Sequence, residues 1–239
     1  MRSNGDLDRE KEVAARAATE EVRPGMLLAL GTGSTTAFAV QAIARNEAIR
    51  THLTTVASSV ATEDLARRLG LAVRPLAPTD HFDLMIDGAD EVTPRLELTK
   101  GGGGALFREK FLARLSRRVV IIVDHTKVVE FLGMRGPIPI EVVPFARPVI
   151  IRELEEEGIP ARPRVENGRV VRTDNGNEIL DVCPSQPVTD AAGLNERLRA
   201  CPGVVETGIF LNLADIVIVA KPDGTLSRLE ASPGSRRST

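Results

Sequence analysis

The chain has 239 residues, of which 42% are hydrophobic, and its 31 basic and 33 acidic residues leave a net charge of −2. This length suits a core domain with a smaller companion, and the apolar content is enough for a sizeable core. The near-balance of charge gives no electrostatic reason to expect a nucleic-acid or membrane partner.

Residue types and apolar runs add two further expectations. Cys183 and Cys201 have neither CxxC spacing nor a histidine cluster beside them, so we expect reduced thiols in a cytoplasmic protein and no metal site. The start of the chain lacks the apolar core of a signal peptide, and no apolar stretch reaches the ~20 residues that span a bilayer. We therefore expect a soluble protein.

Strand and helix signals alternate through the first half of the chain. A charged amphipathic helix is predicted over residues 7–22, and Pro24 and Gly25 stop it. The signals that follow are, in order, a strand, glycine turn and helix (MLLALGTGSTTAFAVQAIARN), a strand (LTTVASS), a helix (EDLARRLG), two strands (LAVRPL and FDLMIDGAD), a helix over 104–117 and a strand covered on both faces (RRVVIIVDHTK). This alternation predicts an α/β fold with a parallel sheet flanked by helices.

After Phe131 the pattern becomes that of a small α+β domain. Asn167-Gly168 and Asn175-Gly176 are hairpin-turn signals between predicted antiparallel strands, and helices are predicted in IIRELEEEGI and LNERLRACPG. The run ADIVIVAKPDG then resembles the earlier buried strands, so the chain is predicted to return to the first sheet. The expected division is a first domain over 1–131 and 208–230, a second over 132–207, and a disordered polar tail over 231–239.

The GTGST segment at 31–35 follows an apolar strand and opens a helix. Glycines there let backbone N–H groups approach an anion, and the hydroxyls of Ser34, Thr35 and Thr36 suit a small phosphate monoester. Thr36 stands where a dinucleotide fingerprint requires Gly or Ala, and no Gly-Lys-Ser/Thr follows to make a P-loop. The segment therefore predicts a phosphate site, with a plain capped turn as the alternative.

Asp87 and Asp90 lie in DGADE at the carboxyl end of a predicted strand, where open α/β sheets place ligands. A solvated turn explains these two residues equally well. A divalent-metal loop is a weaker alternative, because no histidine or further carboxylate spacing supports it.

Lys100 leads into a run of four glycines, and Glu109 follows in the predicted helix. Ordering four glycines costs conformational entropy, so close approach of backbone to a ligand explains the run better than packing, with a flexible linker as the alternative. We expect Glu109 in the second turn of the helix, where it could face a ligand; by itself it would more often be a solvated charge. Lys127 closes the VVIIV strand within DHTK, where we regard His125 as incidental.

Carboxylates, an ammonium group and uncovered N–H groups are what proton transfer beside a carbonyl requires. The motif positions supply no Ser-His-Asp or Cys-His set, and phosphoryl transfer would need a lysine loop and metal ligands that are absent from the sequence motifs. The motifs therefore favour proton transfer beside a carbonyl.

Together these motifs resemble the type A family of ribose-5-phosphate isomerases. The resemblance covers about residues 7–229 and is carried by GTGST, ASS, DGADE, KGGGGALFREK, DHTK, EVVPFA, TDNGNEILD and PGVVETGIF. It implies interconversion of D-ribose 5-phosphate and D-ribulose 5-phosphate through a cis-enediolate, in the non-oxidative pentose phosphate pathway, without metal or organic cofactor. It also implies a Rossmann-like domain with an inserted ferredoxin-like domain, assembled as a homo-oligomer (a dimer or tetramer).

The same resemblance implies roles for individual residues. Glu109 would move a proton between C1 and C2, Asp87 and Asp90 would handle ring opening and hydroxyl protons, and Lys100 would face the developing oxyanion with the neighbouring glycine amides. The residues implied to bind substrate are Lys11, Thr32, Gly33, Ser34, Thr35, Asp87, Gly88, Ala89, Asp90, Lys100, Gly101, Gly102, Gly103 and Lys127.

Two other functions share features with this sequence. A sugar-phosphate-sensing domain of bacterial repressors has a related fold, but it would need a helix-turn-helix module for which the residues ahead of the first strand leave no room. A CoA-transferase-like enzyme would use a glutamate to form an acyl intermediate, but the chain lacks the expected length and second half.

Overall fold

The computed structural model describes residues 4–231, so the expected tail lies outside the described residues except for residue 231. The helices are α1 (Asn4–Thr19), α2 (Ser34–Arg45), α3 (Glu47–Arg50), α4 (Val60–Arg68), α5 (Leu106–Arg114), α6 (Arg147–Glu156) and α7 (Ala191–Ala200), with a 3-10 helix at His125–Lys127. Within this described part, no helix combines the length and apolar character needed to cross a membrane.

Fifteen strands are formed within residues 4–231. They are β1 (Leu27–Leu30), β2 (Thr54–Ala57), β3 (Leu84–Asp87), β4 (Glu91–Val92), β5 (Leu98–Thr99), β6 (Val119–Asp124), β7 (Ile138–Val142), β8 (Ala161–Pro163), β9 (Val165–Glu166), β10 (Arg169–Val170), β11 (Glu178–Val182), β12 (Val204–Thr207), β13 (Ile209–Phe210), β14 (Ile216–Ala220) and β15 (Leu226–Glu230).

A six-stranded sheet in the order β15-β14-β6-β3-β1-β2 confirms the α/β prediction. Every neighbouring pair is parallel except β14 with β15, which is an antiparallel hairpin at the edge. All six residues of β6 are buried, as their continuous β-branched run predicted. The alanines of α1 and the apolar face of α2 pack against these strands in one core cluster.

A second sheet has the order β12-β7-β11-β8 and is antiparallel throughout. With α6 after β7 and α7 after β11, the chain order is βαββαβ, which is the ferredoxin-like arrangement. The inward residues of β7 and β11 form a separate core with Leu154 and Leu198 of the two helices. The hairpin β9–β10 turns at Asn167 and Gly168, both with positive φ.

The chain folds into two compact units. The first takes the described parts of Met1–Ala89, Arg108–Lys127 and Asn212–Thr239, and the second takes Asp90–Phe107 and Val128–Leu211. Residues 90–107 fall in the second unit because β4 and β5 form a three-stranded sheet with β13. This division differs from the domain boundaries expected from the sequence, which stay a prediction.

Several elements differ in extent from the sequence prediction. Helix α1 ends at Thr19, three residues before the predicted end, because i to i−3 turns take over through Val22. Helix α5 is shorter than 104–117. The segment LAVRPL makes only an isolated bridge, Thr55 with Val73, before Pro75, which has no N–H to extend a ladder.

Candidate functional site

The GTGST turn joins β1 to α2 in the first unit, and the carboxylate of Asp87 fits against it. A Cβ added to Gly31 would lie 1.8 Å from Asp87 Oδ1, so only glycine fits there. The Thr32 N–H donates to Asp87 Oδ1 at 3.1 Å. The structure therefore brings two predicted site residues, Thr32 and Asp87, into direct contact.

The N-terminus of α2 is open to an anion. Gly33 precedes the helix with φ 114°, and among the described residues no side chain caps this end. Gly33 and Ser34 are exposed, whereas Thr35 is buried. A twelve-residue helix with uncovered N–H groups attracts negative charge at this end, which fits the predicted phosphate site.

Two serines of the ASS motif, which the sequence analysis did not name as site residues, hold this turn. The Thr32 hydroxyl lies 2.7 Å from Ser58 Oγ and donates to Ser59 Oγ at 2.8 Å. The Thr62 hydroxyl donates to the Gly31 carbonyl at 2.9 Å. Ser58 and Ser59 follow β2 directly, so the rule that ligands gather at the carboxyl ends of parallel strands could have selected them.

Asp87 is the last residue of β3 and is fully buried. Besides the Thr32 N–H, its Oδ1 accepts the Gly88 N–H at 2.8 Å and the Thr36 hydroxyl at 3.4 Å. Gly88 is also buried and Ala89 is half-buried. One carboxylate oxygen is thus committed to fixing the GTGST turn, and the solvated-turn alternative for Asp87 is wrong.

Glu109 is only 3% exposed, which excludes a solvated helix charge. It lies in the first turn of α5, because the helix begins at Leu106, so the expected second-turn position is wrong. A carboxylate in the first turn is favoured by the partial positive charge of the helix N-terminus. A buried carboxylate held in this way is a candidate proton acceptor.

Asp90, Lys100 and the glycine run belong to the second unit. Asp90 Oδ2 accepts the Gly102 N–H at 2.8 Å, so this amide is already bonded, contrary to the expectation that it faces an oxyanion. Gly102 and Gly103 are exposed, and Gly101 has φ 105°. The run is thus an ordered loop fastened to Asp90, and the flexible-linker alternative is wrong.

Lys100 is 3% exposed, and its Nζ lies 5.6 Å from the centroid of the Phe210 ring. Its backbone N–H donates to the Gly208 carbonyl at 2.9 Å. An ammonium over an aromatic face is attracted by the ring quadrupole. The Lys100 ammonium therefore lies near Phe210, on the residue that leads directly into the glycine loop.

The two remaining lysines of the predicted site, Lys11 and Lys127, lie on other elements of the first unit. Lys127 is half-buried in the 3-10 helix after β6, and Lys11 on α1 pairs with Asp8 at 3.1 Å. Within residues 4–231, neither lysine hydrogen-bonds to the GTGST turn. Their predicted substrate contacts stay a prediction.

Glu10, Asp124 and His125 form a cluster that the sequence prediction missed. Their candidate ligand atoms all lie within 4.8 Å of one another, a set that could hold a metal ion. Glu10 Oε2 contacts His125 Nδ1 at 2.5 Å, and Asp124 Oδ1 accepts the Thr126 N–H at 2.9 Å. His125, expected to be incidental, is thus joined to a buried carboxylate.

Fold and site define a class: an α/β protein with a helix N-terminus open to an anion and, in the turn before that helix, an amide bonded to a buried carboxylate. This arrangement suits a small phosphorylated ligand. The profile of the family described as ribose 5-phosphate isomerase A (phosphoriboisomerase A) matches residues 54–224. Ribose-5-phosphate isomerase A of Thermomicrobium roseum is 46% identical over 221 residues, which are 91% of this chain and 92% of the relative.

Solved structures agree with the sequence comparison. Ribose 5-phosphate isomerase from Plasmodium falciparum superposes with a TM-score of 0.91 at 34% identity, over 95% of this chain and 100% of that one. A D-ribose-5-phosphate isomerase in complex with phospho-erythronic acid gives a TM-score of 0.88 at 35% identity, over 94% and 99%. The chain belongs to the ribose 5-phosphate isomerase A family, and these relatives give the sugar-phosphate-sensing alternative no support.

Proposed function

We propose that this chain interconverts D-ribose 5-phosphate and D-ribulose 5-phosphate. The observation that carries the proposal is the hydrogen bond from the Thr32 N–H to Asp87 Oδ1. This bond joins the turn beside the open anion site to the buried Asp87 carboxylate. A phosphorylated sugar requires both an anion site and a carboxylate. Family membership supplies the substrate class.

The proposed reaction moves two protons and consumes nothing. Glu109 takes the proton from C2 of the open-chain aldose, and the electron pair forms the C1–C2 double bond while O1 becomes the oxyanion of a cis-enediolate. Lys100 stabilises that oxyanion with the Gly103 amide. Glu109 then returns the proton to C1, and the O2 proton passes to O1 with help from Asp87 and Asp90. The product is the ketose.

Binding is proposed to begin at the phosphate. The open N-terminus of α2 and the hydroxyls of Ser34 and Thr35 take the phosphate oxygens, with Thr32 and Gly33 completing the turn and Lys11 and Lys127 adding positive charge. The phospho-erythronic acid bound by one solved relative also combines a phosphate with a carboxylate. Its planar carboxylate resembles an enediolate, so it should inhibit this chain competitively.

We also propose a setting for the activity. The family resemblance supports a place in the non-oxidative pentose phosphate pathway, a cytoplasmic location and assembly as a homo-oligomer. The site residues proposed above need neither a metal ion nor an organic cofactor, because Lys100 supplies the positive charge.

Replacing Glu109 with Gln tests the proposed base. The change keeps the side chain's size and removes its proton acceptor, and general-base catalysis is worth about 10²–10⁴-fold. We expect kcat to fall by at least about a hundredfold, KM to change little, and solvent deuterium exchange into substrate C2 to fall with kcat.

Asp87→Asn is the matched comparison for that test. Water can relay protons between oxygens, so this variant should lose less turnover than Glu109→Gln. Circular dichroism spectra and melting curves establish that both variants fold. Near-normal turnover in Glu109→Gln with an inactive Asp87→Asn would assign the base to Asp87 instead.

A further inference from the structure

We propose that Arg164, held by Asp181, is a positioning residue that sets the peptide planes of the glycine loop. Arg164 Nη1 donates to the Gly101 carbonyl at 2.7 Å and to the Gly102 carbonyl at 2.9 Å. Arg164 lies outside the sequence motifs that predict the site, and its positioning role rests on the proposed catalytic role of the loop.

Asp181 fixes the guanidinium on its other edge. Arg164 Nη2 donates to Asp181 Oδ1 at 2.5 Å, and Nε donates to Oδ2 at 3.2 Å. The two side chains are only 12% and 13% exposed, so solvent screens the pair weakly. Asp181 lies on β11 in the middle of the ferredoxin-like sheet, and the Arg164 N–H donates to the carbonyl of Ile179 on the same strand. The guanidinium is therefore anchored to a rigid strand.

Because a trans peptide is planar, the anchored guanidinium can fix the orientation of the loop backbone. A carbonyl and the following N–H point in opposite directions across one plane. Because the Gly101 carbonyl points to Arg164, the Gly102 N–H points away from it and reaches Asp90 Oδ2 at 2.8 Å. The Gly101–Gly102 peptide is thus held on one side by the Arg164 guanidinium and on the other by the Asp90 carboxylate.

The next peptide is oriented by the same nitrogen. With the Gly102 carbonyl on Arg164, the N–H of Gly103 is directed away from the guanidinium. Glycine populates positive and negative φ about equally, so a run of glycines would otherwise exchange among many orientations. Arg164 therefore favours one backbone orientation of the loop. In that orientation the Gly102 N–H binds Asp90 and the Gly103 N–H points away from the guanidinium.

Lysine could not replace this arginine. The planar guanidinium offers donors in a fixed fork, and here one edge binds a carboxylate while Nη1 serves two carbonyls. A lysine ammonium is a single point on a flexible stem. Arg164→Lys is therefore expected to keep the charge and lose the orientation of the loop.

The test compares Arg164→Ala and Arg164→Lys with Arg152→Ala, an exposed arginine on α6 that pairs with glutamates of its own helix. We expect kcat to fall by about ten- to a hundredfold in both Arg164 variants, since small misplacements of catalytic groups cost that much, with KM changed much less. Arg152→Ala should behave like the wild type. Asp181→Asn should follow the Arg164 variants in the same direction.

Amide hydrogen exchange of the 101–104 segment supplies a readout that needs no activity. The Gly102 amide should exchange faster in both Arg164 variants than in Arg152→Ala. If the wild type fails to isomerise the sugar, the proposed function is wrong, and the exchange rates still test the positioning. Unchanged exchange, or unchanged kcat, in folded Arg164 variants would overturn the proposal. If Arg164→Ala fails to fold, kcat and amide exchange in Arg164→Lys and Asp181→Asn test the positioning role instead.

Discussion

At the scale of single residues, Asp87 has a structural role in addition to its proposed chemical role. Its Oδ1 accepts the N–H groups of Thr32 and Gly88, so the carboxylate fastens the turn that precedes α2. The same atom fills the space where Gly31 would carry a side chain. A change at Gly31 should therefore disturb the carboxylate and the anion site together.

Gly31→Ala tests this coupling. The new methyl would lie 1.8 Å from Asp87 Oδ1 and 2.0 Å from Cγ, so the carboxylate or the turn must move. We expect a loss of about 1–3 kcal/mol in unfolding free energy, typical of overpacking, and a fall of at least about tenfold in kcat/KM. Calorimetry and steady-state kinetics measure the two effects.

Gly136→Ala is the control for that substitution. A Cβ at Gly136 would meet nothing within 4 Å, and its φ is not positive, so stability and kinetics should be those of the wild type. Wild-type kinetics in a folded Gly31→Ala variant would show that the contact between Asp87 and the turn is dispensable.

At the scale of elements, local patterns predicted the strands of the large sheet well. The β-branched run that became β6 and the glycine turn before α2 both carry strong local signals. LAVRPL failed as a strand because Pro75 ends its pairing after one bridge. The edge strand β15, whose exposed and half-buried residues alternate, lacked a distinct signal.

The candidate site was predictable only in part. Asp87, Glu109 and Lys100 stood out because their motifs are local in sequence. Arg164 did not stand out, because its contacts join it to residues 63 and 62 positions away in the chain. Ser58 lies in a quoted motif, but its contact with Thr32, 26 positions away, was not predicted. Such pairings follow from topology, and no local pattern encodes them.

The loop before β3 contains an ion pair that should make stability depend on pH. The guanidinium of Arg74 donates to both carboxylate oxygens of Asp80, and the Ala77 N–H adds a third bond. The Arg74 guanidinium, followed by the Ala77 N–H, lowers the pKa of Asp80 to about 2. An unfolded aspartate has a pKa of about 3.9, so this stabilisation is complete above that value and is lost as the pH falls towards about 2.

Asp80→Asn should therefore lower the melting temperature near neutral pH by about 2–4 °C, and the difference from the wild type should shrink between about pH 4 and pH 2. Thermal melts over that range measure it. Glu47→Gln is the control, since its side chain is 84% exposed and its ion pair with Arg50 is long. A difference that stays constant down to pH 2 would contradict the assigned cause.

At the scale of the whole molecule, the chain passes between its two compact units in the middle of the DGAD motif. Asp87 belongs to the first unit and Asp90 to the second. The sequence predicted an α/β domain with an inserted α+β domain, and both folds are present. It did not reveal that residues 90–107 group with the insertion, because the pairing of β5 with β13 spans over a hundred residues.

Independence from metal ions is a prediction at this scale, because the candidate metal ligands found within residues 4–231 lie outside the proposed catalytic residues. Lys100 is the residue proposed to supply the positive charge for the oxyanion, whereas Glu10, Asp124 and His125 form the cluster that could hold a metal ion. Dialysis against a chelator should leave kcat/KM unchanged, and His125→Ala should respond to the chelator as the wild type does. Activity lost on dialysis and restored by a divalent ion in the wild type, but not in His125→Ala, would place an essential metal at that cluster.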